Sequence, residues 1–128
     1  MEKRKLIIYW VTTILMSVGM LSSGLAQIIH AKQMIDLVVP LGYPIYFLSI
    51  IGVWKILGVI TVLSPGLKLL KEWAYAGFFF LMTGAVISHL ASGDFGVKAI
   101  LGPSMQTIFI ILSWYFRPAN RKLISVSI

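Results

Sequence analysis

Residues 44–63, PIYFLSIIGVWKILGVITVL, form an apolar run of twenty positions with one charge in it, Lys55. About 20 apolar residues is the length a helix needs to cross a hydrocarbon core of ~30 Å. Backbone groups in lipid must be satisfied within a helix or a closed barrel, and the run lacks the period-two alternation of a barrel strand, so it reads as a membrane helix. The ammonium group near its middle is the anomaly.

Similar runs flank this one. The spans are expected at about 6–29, 44–63, 74–91 and 99–116, making one all-α domain over residues 1–128, a four-helix transmembrane bundle. The composition agrees: 59% hydrophobic, 12% charged and a mean hydropathy of +0.93 are too apolar for a soluble fold. No repeat at a solenoid period and no low-complexity tract appears. Residues 30–43 carry MIDLVVPLGY, too short to span, which reads as a loop or short helix at the outer interface.

The net charge of +7 does not make a nucleic-acid surface, because the basic residues flank the apolar runs. Lys3, Arg4, Lys5, Lys68, Lys71, Arg117, Arg121 and Lys122 fall on one side and only Lys32 and Lys98 on the other. Positive flanks mark the cytoplasmic side, so both termini are expected there, in a multi-pass protein of the plasma membrane. Trp10, Trp73, Trp114 and Tyr115 fall near the same level, where amphipathic rings prefer to sit. A cleavable signal peptide ending near GLA is the rival reading of the amino terminus, but the apolar run is long for an h-region. The absence of cysteine excludes disulfides and thiolate chemistry in this chain.

Within the spans, Gly19, Ser23 and Gln27 recur every four residues with His30 beyond them, and Gly77, Gly84 and Ser88 recur on the third span with His89 beside them. Such small stripes are expected to let helices pack closely in lipid. Gly52 and Lys55 share a face of the second span; Gly102, Gln106 and Ser113 share one of the fourth, after Pro103. Lys55 lies about 12 Å from the inner end of its span and about 16 Å from the outer, at ~1.5 Å per residue. Its stem is too short to clear that depth easily, and no Asp or Glu lies at the same level: Glu72 is near the inner surface, Asp36 and Asp94 are outside. Compensation is needed. A hollow lined by Gln106 and Gln27, with His89 as a further polar group, is the leading expectation; the rival has Lys55 reaching Glu72 or helix-end carbonyls to fix the packing. His30, His89, Asp36 and Asp94 share the outer side without metal-ligand spacing, so no metal site is read, and no catalytic triad is specified.

LGYPIYFLSIIGVWKILGVITVLSPG followed by LKEWAYAGFFFLMTGAVISHLASGD resembles the DoxX-like family of small four-span bacterial membrane proteins. The linked pieces GYP, GxxKxxG, KEWAYAG and SHLxxGD carry the resemblance, which extends over residues 17–115 and takes in Tyr43, Lys55, Glu72, His89 and Asp94. The wider superfamily includes proteins linked to quinone-dependent sulfur oxidation and to complexes handling oxidative stress. The resemblance therefore implies that a bound quinone or a membrane redox partner would supply any redox chemistry, since this chain has no flavin, haem or thiol motif of its own.

Two readings follow. The first is a binding module in the lipid bilayer that holds a small lipophilic molecule, a quinone or lipid, around Lys55, Gln106, His89 and Gln27, with Glu72, Tyr43 and Asp94 as structural or interfacial polar groups. It would serve as an accessory to a membrane redox system. The alternative is a scaffold subunit, self-associating or bound to another membrane protein, with no ligand of its own. No catalytic residue is assigned.

Overall fold

The computed structural model describes residues 3–93, 96–118 and 121. It is helical throughout its ordered elements: α1 (Lys3–Ile28), α2 (Lys32–Val38), a 3-10 turn (Val39–Leu41), α3 (Tyr46–Leu63), α4 (Lys68–Ala91) and α5 (Val97–Tyr115). Helices α1, α3 and α4 are each long and apolar enough to cross a membrane, and α5 adds an apolar helix over Ile100–Tyr115. The molecule is an all-α membrane bundle. Its outer faces carry large apolar side chains such as Val18, Trp54, Phe80 and Ile87, which lipid rather than water covers.

The four long helices run up and down, α1 packing on α3 and α5, and α4 on α5 and α3. The first residues of α1, the α3–α4 turn and the last residues of α5 thus share one end; α2 and the 3-10 turn lie at the other. Near the termini the interior is filled by Met16, Met20, Val59, Val62, Tyr75, Phe78, Met82 and Ile110. Toward the far end Leu48 and Ile51 are buried on α3, but a hollow remains between the helices.

Specific stops shape the connections. Helix α1 ends in a Schellman motif: Ala31 N–H donates to Ala26 O at 2.9 Å and His30 N–H to Gln27 O at 3.1 Å, with His30 left-handed at φ 55°. Histidine bears that conformation at some cost, and its Nε2 lies 2.8 Å from Ser49 Oγ on α3. Residues 30–43, read as a loop or short helix, contain α2. Gly42 then turns the chain toward α3 with φ 93°.

Helix α4 begins at Lys68, earlier than the expected 74, because the α3–α4 connection is only residues 64–67. Its carbonyls at Ser64 and Gly66 accept hydrogen bonds from Lys71 Nζ, which is turned inward and almost fully buried. Sequence placed Lys71 among the interfacial cations; the structure makes it the clamp of a tight turn. Asp94 and Lys122 lie outside the described residues.

Helices α1 and α3 approach closely at their glycines. A Cβ added at Gly52 would stand 2.7 Å from Gly24 O, and one at Gly24 would stand 3.1 Å from Gly52 O. The stripe expected on α4 does not serve close packing: a Cβ on Gly77 or Gly84 would meet nothing within 4 Å. Hydropathy periodicity cannot tell a glycine that admits a neighbour from one that borders a space.

Candidate functional site

The far half of the bundle contains a cavity of about 540 Å3. Each element contributes to its wall. Lys55 reaches it from α3, Gln27 and Ser23 from α1, His89 from α4 and Gln106 from α5. Tyr43 closes one side from the segment before α3, its hydroxyl 2.8 Å from Ser88 Oγ.

Helix α2 and the 3-10 turn supply the apolar cover. Met34, Leu37, Val38 and Leu41 recur at the i, i+3, i+4, i+7 spacing of one helical face, and all four border the cavity. None is buried, because the face lies over a hollow and not over a packed core. Their periodicity was present in MIDLVVPL and is the signal by which sequence could have assigned this segment to the site.

Lys55 stays at mid-depth. Its side chain is only 4% exposed, and Nζ donates to Ser23 Oγ at 3.1 Å. Ser23 in turn donates to Met20 O at 3.3 Å, so its oxygen is free to accept from the ammonium. The rival placement of Lys55 against Glu72 does not occur. Glu72 pairs with Arg117 at 2.8 Å and accepts from Trp114 Nε1 at 3.0 Å, at the termini end of the bundle. It borders a separate apolar groove of about 410 Å3 between α4 and α5, with Phe79, Ile110 and Trp114.

Two amides complete the polar lining. The side-chain oxygens of Gln27 and Gln106 are both buried without a hydrogen-bond partner. Gln106 stands against α1 so closely that a methyl group at Gly19 would overlap its Nε2. Buried polar atoms are normally paired, and lost pairing costs about 1–3 kcal/mol each, so two unpaired amide oxygens on residues of one lining are notable.

A family model for the DoxX-like family matches residues 11–116. The chain belongs to the DoxX-like family. No curated protein and no solved structure matches it. In this DoxX-like chain the matched segment takes in α1 from residue 11 onward, the other three long helices, the cavity and its cover.

The other polar cluster of this DoxX-like bundle lies in its packed half. Thr13 Oγ1 is 2.6 Å from Ser113 Oγ, which is 2.8 Å from Tyr75 OH, joining α1, α5 and α4. Thr13 and Ser113 are fully buried. Sequence reasoning missed this knot: Ser113 and Gln106 share a face of α5 but lie about two turns apart, one a hydrogen-bonded contact and the other, at mid-helix, a cavity wall.

Proposed function

We propose that this membrane bundle binds a small lipophilic molecule, a quinone or a lipid, in the cavity around Lys55. The observation that carries the reading is the buried ammonium facing a hollow of about 540 Å3, within the range of about 300–1,000 Å3 common for small-molecule sites. Apolar walls with a few convergent polar groups suit a ligand that enters from lipid. Lys55 would donate to an oxygen of the bound molecule, with Gln27, Gln106 and His89 around it. A quinone carbonyl can accept from Lys55, so a quinone fits the donor set; when bound it would supply the redox chemistry that no residue here supplies. The chain would then act as an accessory to a membrane redox system of the plasma membrane, with both termini cytoplasmic and the cavity in the outer half of the bilayer. Support for that orientation comes from the basic residues gathered at the termini end.

Gly84 provides the test, since it borders the cavity and has open space where a side chain would grow. Organic extraction of purified wild-type protein should yield a lipophilic molecule at near-stoichiometric amount, and Gly84→Leu, which fills the hollow, should lose it while keeping its thermal stability. Equal recovery from both proteins would place the molecule outside the cavity and overturn the reading, and none from either would favour a ligand-free scaffold.

A further inference from the structure

We infer that the cavity selects an amphiphile with an anionic head, carboxylate or phosphate, and a hydrocarbon tail, in preference to a neutral quinone. This rests on the proposed site and names the ligand class it would take.

The argument begins with charge. Lys55 Nζ has three N–H groups, and one neutral hydroxyl, Ser23, accepts from it. Among the described residues no carboxylate borders the cavity, and the described ion pair, Glu72–Arg117, lies outside its wall. A cation taken out of water is compensated well only by a charge of opposite sign with good hydrogen bonds. A quinone carbonyl would occupy an N–H and leave the charge unbalanced. An anionic head satisfies both.

The rest of the lining fits the same head. Gln27 and Gln106 belong to the same lining and supply amide N–H donors that an anion can accept from once either side chain turns toward the hollow. The far wall is apolar, with Met34, Leu37, Phe47, Ile51 and Leu81. A cavity of about 540 Å3 lies in the range of small-molecule sites, and this apolar lining suits a hydrocarbon tail beside the head.

Native mass spectrometry of the detergent-solubilised full chain can compare palmitate, hexadecyl phosphate, methyl palmitate and decylubiquinone. Palmitate or hexadecyl phosphate should bind about ten-fold more tightly than methyl palmitate, the difference between a charge-assisted and a neutral hydrogen bond; which of the two binds better identifies carboxylate or phosphate as the head. Lys55→Met should abolish the preference for the acid and Lys55→Arg should keep it, the second guarding against a folding defect in the first. Methyl palmitate or decylubiquinone binding as tightly as both anions, or a preference that survives in Lys55→Met, would overturn the inference and leave the cavity as a binding site. Failure of all four probes to bind would overturn both.

Discussion

Lys55 is tolerated at mid-depth because the fold gives it a hydroxyl and a hollow, not a carboxylate. Taking a charge into a membrane span costs about 2.5–3.5 kcal/mol on insertion scales, and a single neutral hydrogen bond offsets only part of it. Glu72, the acid that could have paired with it, is engaged by Arg117 and Trp114. The two residues should therefore be energetically independent. In a double-mutant cycle read by unfolding in detergent, Lys55→Met and Glu72→Gln should be additive within about 0.5 kcal/mol. Glu72→Gln with Arg117→Met should couple by up to about 1 kcal/mol, the modest value of a partly exposed pair. A coupling above about 1 kcal/mol for the first pair would restore the structural reading of Lys55.

Helix-level behaviour turns on which glycines touch a neighbour. Gly24 and Gly52 bring the backbones of α1 and α3 together, so Gly52→Ala forces a methyl against a carbonyl oxygen that cannot move without shifting α1. Overpacking of this kind costs about 1–3 kcal/mol, and a lowered melting temperature in detergent should report it. Gly84→Ala meets open space and improves helix propensity by up to about 1 kcal/mol, so its melting temperature should hold or rise. Losses of equal size at both positions would mean that α4 is packed where the cavity is described. Helix α2 belongs to the same scale: its apolar stripe covers the hollow, held between left-handed His30 and Gly42, with Tyr43 bonded to Ser88 just beyond.

At the scale of the whole molecule, packing is divided between the two ends. The termini end holds the filled core, the hydroxyl knot of Thr13, Ser113 and Tyr75, and the Lys71 clamp; the far end holds the cavity and its cover. The chain contains no cysteine, so a single introduced one reports on its own position. If the bundle has the proposed orientation, with both termini in the cytoplasm, Lys32→Cys should react with a membrane-impermeant maleimide on intact cells, whereas Lys68→Cys should react only after permeabilisation. The reverse pattern would invert the bundle and open its cavity half toward the cytoplasm.

What was legible in the chain itself is the class of fold. Apolar runs of spanning length, basic flanks and the lack of alternation determine an all-α membrane bundle, because lipid leaves the backbone no other way to satisfy itself. The isolation of Lys55 from any acid of its own depth could also be read by counting residues along a helix. Tertiary structure alone decided that Gly24 and Gly52, not Gly77 and Gly84, make the close contact, that Lys71 turns inward, that α2 is a cover and that Ser113 and Gln106 part ways. These outcomes depend on the rotation of each helix against its neighbours. The tails that solvate a bundle are as apolar as its core, so hydropathy does not reveal which face turns inward.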